Sequence, residues 1–364
     1  MTLRKASNAI FLLIYAGLCA FWARHVPVFW DAHVYAHAIY CFHHGVNPYL
    51  EDSNTRFVYS PAFLILAPYL GRFGWNLYIF LSIGAAVSIP FLIAQFLRKT
   101  WIAPVAILIF ALTPGFDSEM ALLSGNTSNI LYFAILWSGL VGVRKERWFA
   151  FYVAVVIASL VKPPFLTFLL LPLLITGAWV RVIVSIITVA AIFAAQRLAM
   201  PTLFSGFQEA VHSQLLTHQD MGIGIASYFH SSLLSLIAYV LILGITVVYL
   251  WRARKRCKDS DLWIPSILVA CIVGNPRMLS YDVIVAMIPA VYIVVQAIRE
   301  WSESPAAIGV AISTFMLIFS RHAGVGTFVF LLTALLLSLL VFHQHNRAFN
   351  AGKAIEVELD ATGR

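Results

Sequence analysis

The stretch from Trp30 to Pro61 carries the residue types best suited to chemistry. It begins with Trp30-Asp-Ala-His-Val-Tyr35, continues through Asn47-Pro-Tyr49 and ends with Tyr59-Ser-Pro61. Carboxylates take up protons, and tyrosine hydroxyls both donate and accept hydrogen bonds. Because the stretch follows a long hydrophobic segment, we expect it to form an acidic, aromatic-rich surface outside the membrane, where a reaction can take place.

Further polar residues recur at the ends of hydrophobic segments. They are Glu119, Asn126, Asn129, Lys162, Asn275, Arg277, Asp282, Arg321 and His322. If the N-terminus is cytoplasmic, all of them fall at the outer ends, on the same side as Asp31. Transporters instead place such groups near the bilayer midplane on interrupted helices. The one-sided clustering predicts a single crevice at the outer surface, as in an enzyme.

The composition indicates that these polar residues belong to an integral membrane protein. Hydrophobic residues make up 61% of the chain and charged residues only 11%, and the mean hydropathy is +0.87. Long apolar runs without alternation indicate helices rather than barrel strands. We predict an all-α, polytopic integral membrane protein with about twelve spans. The predicted spans are 8–24, 74–97, 101–116, 128–143, 148–162, 163–176, 179–199, 228–251, 262–275, 282–298, 305–321 and 323–342.

Two features of this pattern remain open. The pair of segments around Lys162-Pro163-Pro164 can form two short spans or one broken span. The apolar segment 63–70 is too short to cross the membrane, and we predict that it forms a re-entrant or external juxtamembrane helix. The apolar pattern ends at residue 342, which predicts a single transmembrane domain over 1–342 and a short cytoplasmic tail over 343–364. Within that domain we expect external loops at 25–73 and 200–227, the second containing an amphipathic helix.

The distribution of basic residues predicts the orientation. With a cytoplasmic N-terminus, 17 of the 24 Lys and Arg residues fall inside, in agreement with the positive-inside rule. The sequence pI of about 9.4 therefore reflects short cytoplasmic loops that touch anionic membrane lipids, and it does not require a nucleic-acid partner.

Several motifs together resemble glycosyltransferase family 87. They are Trp30-Asp31-Ala-His-Val-Tyr35, Gly45-Val-Asn-Pro-Tyr49, Tyr59-Ser-Pro61, Gly125-Asn-Thr-Ser-Asn129, Leu160-Val-Lys-Pro163 and Asn275-Pro-Arg277. The family includes polyprenol-phosphate-mannose-dependent α-mannosyltransferases with the GT-C fold. The resemblance implies a GT-C-like bundle in the bacterial inner membrane with its active site on the outer side. It also implies that the donor is a polyprenyl-phosphate sugar and that the acceptor is lipid-linked or a glycan. The transferred group is expected to be a hexosyl group, with mannosyl as the first candidate.

Chemistry of this kind needs a base and cations. A carboxylate must accept the proton of the acceptor hydroxyl, and cations must hold the phosphate as its charge grows. Asp31 is our candidate for the base, although an N-cap of a helix starting at Ala32 is an alternative role. Lys162, Arg277 and Arg321 are candidates for binding the donor phosphate. Their alternative roles are a lysine that extends to the membrane surface, turn capping and interfacial anchoring.

Candidates for binding the sugar or the acceptor are Tyr35, Asn47, Tyr49, Tyr59, Asn126, Asn129 and Asp282. The tyrosines can stack on a sugar ring or form an interfacial aromatic belt, and Asn126 can also sit at a helix start near Ser128. His33 and His37 have the spacing of metal ligands on a helix. We nevertheless expect no metal or other cofactor, because cationic side chains can neutralise a monophosphate leaving group. An O-antigen ligase or polymerase and a lipid or glycolipid transporter are the alternative functions.

Overall fold

The computed structural model describes residues 29–50, 57–65, 74–99, 123–217, 223–224, 232–257, 260–276, 278–300, 309 and 325–343. Within these residues all regular structure is helical, as the sequence predicts. The helices are α1 (Trp30–His43), α2 (Trp75–Phe96), α3 (Thr127–Lys145), α4 (Phe149–Val161), a 3₁₀ segment (Pro163–Leu169), α5 (Leu170–Thr176), α6 (Trp179–Ala199), α7 (Pro201–Thr217), α8 (Ser232–Cys257), α9 (Trp263–Val273), a 3₁₀ turn (Ser280–Asp282), α10 (Val283–Glu300) and α11 (Val325–His343).

Helices long and apolar enough to cross a membrane number five among the described residues: α2, α6, α8, α10 and α11. Three more apolar segments are shorter, namely α4, α9 and 163–176. The predicted count of about twelve spans is therefore not confirmed. The predicted spans 8–24 and 101–116, and all of 305–321 except residue 309, lie outside the described residues.

The chain reverses direction at Lys162. Its backbone is extended (φ −142°, ψ 103°), because a residue that precedes proline is disfavoured in the helical region. Trp148, the N-cap of α4, and Thr176, the last residue of α5, border the same cavity, while Lys162 follows the other end of α4. The two segments therefore form a hairpin rather than one broken span.

The larger of the two hydrophobic cores joins α2, α3, α4, α9, α10 and α11. Helix α9 is buried except at Ile264, and the first part of α10, Val283–Ala290, is also buried. In a bilayer such helices are held together by close van der Waals packing and by interhelical hydrogen bonds. This core fixes the ends of α3, α4 and α10, where the predicted polar residues are found.

The smaller core joins α1 and the 57–65 segment to α7. Tyr35 of α1, Tyr59 and Phe63 of the 57–65 segment, and Phe204 and Phe207 of α7 are all buried in it. The helix predicted within 200–227 is therefore present as α7, and its aromatic residues pack against α1 and the 57–65 segment. Because α7 covers one side of this aromatic core, it holds α1 in place at the end of the bundle.

Candidate active site

Asp31 lies in the first turn of α1, and its position depends on the loop that precedes α3. The backbone N–H of Asp31 donates to the carbonyl of Ser124 at 3.0 Å. Gly125 has φ +66°, and a Cβ there would lie 3.2 Å from Cβ of Ala32. A glycine is therefore needed for the loop to approach α1 so closely.

The alternative role of Asp31 as a helix N-cap is wrong. Helix α1 begins at Trp30, and its N-cap is Phe29, which makes no capping hydrogen bond through its side chain. Asp31 is thus inside the helix, and its carboxylate contacts the residue before α3. Oδ2 of Asp31 accepts a hydrogen bond from Nδ2 of Asn126 at 2.8 Å.

Asn126 links this carboxylate to the start of α3. Its Oδ1 accepts from the backbone N–H of Ser128 at 2.8 Å, so it is the N-cap of α3, in agreement with the predicted helix start. Because Oδ1 must face that N–H, Nδ2 is directed to Asp31 and to the hydroxyl of Tyr59 at 3.2 Å. The side chain is fully buried. Its contacts favour positioning of Asp31 over the predicted contact with sugar hydroxyls.

The predicted sugar-stacking tyrosines form the wall behind Asp31. Tyr35 donates to the hydroxyl of Tyr59 at 2.8 Å, and Tyr49 donates to the carbonyl of Tyr59 at 2.7 Å. Tyr35, Tyr49 and Tyr59 are only 1%, 5% and 7% exposed. Their rings pack against other protein rings. This packing favours a structural role over the two predicted roles, sugar stacking and an interfacial aromatic belt.

Sequence reasoning missed one member of this wall, Tyr78. It lies in the first turn of α2, and its hydroxyl donates to the carbonyl of Gly125 at 2.8 Å, which secures the loop that holds Asp31. Its ring also makes an edge contact with Tyr35. The available signal was the pair Trp75 and Tyr78 at the start of a span, but the same pattern occurs wherever a helix enters a membrane interface.

A second carboxylate, that of Asp282, lies at the end of α4. Nζ of Lys162 lies 3.2 Å from both Oδ1 and Oδ2 of Asp282. Tyr132 donates to Oδ1 at 2.6 Å, the backbone N–H of Leu279 donates to Oδ2 at 2.9 Å, and Nδ2 of Asn275 donates to Oδ2 at 3.3 Å.

Asp282 is fully buried, so these contacts surround its carboxylate with protein donors. They favour a role in anchoring Lys162 over the predicted contact with sugar or acceptor. The side chain of Lys162 keeps 16% of its surface exposed, and its Nζ also lies 4.8 Å from the centre of the Tyr281 ring.

The two carboxylate centres are neighbours. The backbone N–H of Ser60 donates to the carbonyl of Val161, and Oγ of Ser60 donates to that of Leu160, which ties the Tyr59 segment to the end of α4. Burial raises the pKa of Asp31 to about 6, while the hydrogen bond from Asn126 and the charge of Lys162 oppose that rise. A carboxyl with such a pKa is largely ionised at neutral pH and accepts a proton readily.

The remaining predicted site residues are placed as follows. Oδ1 of Asn47 accepts from the backbone N–H of Tyr49 at 3.0 Å, so this asparagine shapes the turn before Tyr49. Asn129 is buried one turn into α3, and its Nδ2 donates to Oγ of Ser82 at 3.3 Å. Arg277 and Arg321 lie outside the described residues, and their contact with a phosphate stays a prediction.

The predicted absence of a metal also stays a prediction. His33 and His37 lie on the exposed side of α1, and Nε2 of His37 contacts Sγ of Cys41 at 3.6 Å. Among the described residues, no three His, Cys, Asp or Glu side chains come together in a way that could hold a metal ion.

An apolar cavity of about 550 Å³ lies beside this site, between α6, α7 and the 3₁₀ segment. Its wall starts at Pro163, the residue after Lys162, and continues through Val189 and Phe193 of α6 and Phe204 and Phe207 of α7. Lys162, which is paired with Asp282, therefore directly precedes a residue of the cavity wall.

Comparison with known proteins identifies the family of this chain. No curated protein matches the chain. The model of glycosyltransferase family 87 matches residues 57–280, which is more than half of the chain. The matched region includes Tyr59, Asn126 and Lys162, whereas Asp31 precedes it. The transporter alternative therefore falls away: the chain belongs to glycosyltransferase family 87 and is a membrane glycosyltransferase.

Proposed function

We propose that the protein transfers a hexosyl group from a polyprenyl-phosphate sugar to a hydroxyl of a lipid-linked or glycan acceptor at the outer face of the membrane. Mannosyl is the first candidate for the transferred group. Asp31 is the general base. The observation that carries the proposal is the partly buried Asp31 carboxylate, held by Asn126 at 2.8 Å within electrostatic reach of Lys162.

The reaction is a single displacement at the anomeric carbon. The acceptor oxygen forms a bond to that carbon while its proton passes to the Asp31 carboxylate. The bond between the anomeric carbon and the phosphate oxygen breaks, and polyprenyl phosphate leaves as an anion. One displacement inverts the configuration. No general acid is needed, because a phosphate leaves without protonation.

Lys162 is the described cation best placed for the leaving phosphate. Its ammonium is held by Asp282 and stays partly exposed, and preorganised charges of this kind stabilise a transition state without reorganisation. Arg277 and Arg321 complete the proposed phosphate site, on the basis of the sequence.

The apolar cavity next to Pro163 suits the polyprenyl tail of the donor. A tail has no polar groups, and the cavity walls are contributed mainly by aliphatic and aromatic side chains. With its phosphate at Lys162, the donor can extend its tail between α6 and α7. This arrangement supports a lipid-linked donor over a nucleotide sugar, whose second phosphate and base would need polar partners.

The test is transfer of a radiolabelled hexose by the purified, reconstituted protein. We expect label from polyprenyl-phosphate mannose to enter an acceptor, and none from the corresponding nucleotide sugar. Equal transfer from the nucleotide sugar without a lipid donor would refute the donor assignment.

A groove variant sharpens this test. Ala190 lines the cavity, and Ala190→Trp should raise KM for a long-tailed donor but not for a short-tailed analogue. Ala191→Trp, the same change at the neighbouring exposed position, is the matched control and should leave both KM values unchanged.

A further inference from the structure

A second cavity, of about 570 Å³, lies at the opposite end of the bundle from Asp31. It is bordered by the end of α3, Trp148, the end of α5 and the start of α6. Helix α3 begins beside Asp31 and has 19 residues, which span roughly 28 Å at about 1.5 Å per residue. That length is close to the hydrocarbon core of a bilayer, roughly 30 Å. The cavity therefore opens at the other membrane surface.

Positive charge surrounds one side of this cavity. Arg181, an exposed residue in the first turn of α6, lines it. The N-cap of α6 is Ala178, which offers no side-chain cap, so the positive end of the helix dipole adds to the charge of Arg181. An arginine beside first-turn N–H groups is a suitable arrangement for a phosphate.

A second guanidinium, that of Arg254, lies against the cavity wall. Gly177 lines the cavity with φ +73°, and a Cβ there would lie 2.5 Å from Nη1 of Arg254. Nη2 of Arg254 donates to the carbonyl of Ile175 at 3.4 Å. Nε of Arg254 is buried, with no hydrogen-bond partner among the described residues. Two arginines therefore flank the α5–α6 side of the cavity.

The opposite side of the cavity carries a carboxylate and an aromatic ring. Glu146 and Trp148 line it there, and a carboxylate next to an indole suits a primary ammonium. Trp179 lies at the α6 edge of the cavity and is 59% exposed, as expected for a tryptophan at the level of lipid headgroups. Val143 and Val180 supply apolar wall beside these groups.

We propose that this cavity binds the headgroup of a phospholipid that carries both a phosphate and a primary ammonium, as in phosphatidylethanolamine. The phosphate binds Arg181 and the start of α6, and the ammonium binds Glu146. The acyl chains then lie along the lipid-facing side of α6, where Val180, Ile183 and Val184 are exposed. The site is separate from the glycosyl-transfer site and does not depend on the proposed reaction.

Native mass spectrometry of the detergent-purified protein tests this proposal, with phosphatidylethanolamine, phosphatidylglycerol and soluble phosphoethanolamine as probes. We expect the wild type to prefer phosphatidylethanolamine. Arg181→Gln should lower the affinity for both lipids roughly tenfold, as expected for the loss of one charge-assisted hydrogen bond. Glu146→Gln should abolish the preference while lipid binding persists. Arg252→Gln, which removes an exposed arginine of α8 outside the cavity wall, is the matched control and should bind as the wild type does.

Three results would overturn the proposal. Equal binding of phosphatidylethanolamine by the wild type and by Arg181→Gln would remove the phosphate site. A wild-type preference for phosphatidylglycerol, or none, would remove the ammonium site. Binding of phosphoethanolamine as tightly as the lipid would make this a site for a soluble metabolite. Thermal unfolding of each variant verifies its fold, and Arg181→Lys, which keeps the charge, should retain more lipid than Arg181→Gln.

Discussion

Two neighbouring carboxylates at one end of this protein, those of Asp282 and Asp31, differ in burial and in the number of hydrogen bonds they accept. Asp282 is fully enclosed and receives hydrogen bonds from Tyr132, Asn275 and the backbone of Leu279, besides its ion pair with Lys162. Among the described residues, Asp31 has one side-chain donor, Asn126, and it is only partly buried. A carboxylate that must accept a proton has to keep a free oxygen, whereas one that holds a cation needs every oxygen satisfied.

The pKa of Asp31 supports the same role for this residue. Burial raises the pKa of Asp31 to about 6, so its carboxylate has appreciable basicity at neutral pH. Lys162 joins the two centres, since its ammonium is paired with Asp282 and also acts on Asp31. We therefore assign proton transfer to Asp31 and placement of the Lys162 ammonium to Asp282. Variants of either residue test this assignment.

The largest loss of sugar-transfer rate is expected for Asp31→Asn. The amide keeps the size of the side chain and still accepts a hydrogen bond from Asn126, but it cannot take up the acceptor proton. Loss of a general base costs about 10²–10⁴ in rate, which sugar-transfer kinetics measures directly. Asp261→Asn is the matched control, because Asp261 is an exposed carboxylate paired with Lys99.

A folded Asp31→Asn protein that turns over near the wild-type rate would reject Asp31 as the base. Glu119, which lies outside the described residues, would then be the next candidate to test. Asp282 would be a weaker one, because its oxygens are already occupied by protein donors.

The next effect concerns Lys162 and its anchor. Lys162→Gln should lower the chemical rate about 10²–10³-fold, by analogy with the loss of one oxyanion-hole donor, and should weaken donor binding much less. The measurement compares single-turnover rates with binding of a non-hydrolysable lipid-phosphate sugar. Chelators should not change the rate. Loss of activity in EDTA with rescue by a divalent ion would instead favour a metal site near His33 and His37.

A double variant separates charge placement from folding. Asp282→Asn alone leaves Lys162 without its anion and should destabilise the fold by about 3–5 kcal/mol, as for other broken buried pairs. Lys162→Met combined with Asp282→Asn removes both charges and should recover much of that stability without recovering activity. Recovery of activity would show that the ion pair is only structural.

The sequence predicted the segments well and their mutual contacts poorly. Span 179–199 was located to the residue, and 74–97 to within one residue at each end, because hydropathy and helix length are local properties. Asp31 and Asn126 are 95 residues apart, and Lys162 and Asp282 are 120 apart. Only the packing of α1, α3, α4 and α10 brings these pairs together.

Buried and ligand-facing tyrosines also look alike in a sequence. Tyr35, Tyr49 and Tyr59 have the residue type that stacks on sugars, and the same type fills a core when each hydroxyl finds a partner. The structure gives each of these hydroxyls a protein partner. Their motif positions correctly indicated the site, but they did not show that these rings form its wall.

A smaller effect is expected at Asn126, which positions Asp31. Asn126→Ala removes the 2.8 Å hydrogen bond to Asp31 and the cap of α3. Asn126→Ser keeps the cap, which is worth about 1 kcal/mol, but is too short to reach Asp31. Both variants should lose about 10- to 100-fold in rate through misplacement of the base.

The pH–rate profile separates positioning from a purely structural role. The bond from Asn126 lowers the pKa of Asp31, so its loss should move the acidic limb of the profile to higher pH in Asn126→Ser. A profile that does not move, with the rate of Asn126→Ser restored to wild type, would show that Asn126 acts only as a cap.

The smallest effect is a gain in stability for Asp31→Asn, which depends on pH. The pKa of Asp31 is about 6 in the folded protein against 3.8 ordinarily, so folding favours the protonated form. The wild type therefore loses stability as the pH rises from about 4 to 6, and the full penalty is present at pH 7 and above. An asparagine carries no such penalty. After a discount for the partial exposure of Asp31, the variant should be about 1–2 kcal/mol more stable than the wild type at pH 7.5 and no more stable at pH 4.

Thermal unfolding in detergent at the two pH values measures the difference, with Asp261→Asn as the control. A gain of the same size at both pH values would mean that burial does not raise the pKa of Asp31, and the assignment of Asp31 as the base would then rest on geometry alone.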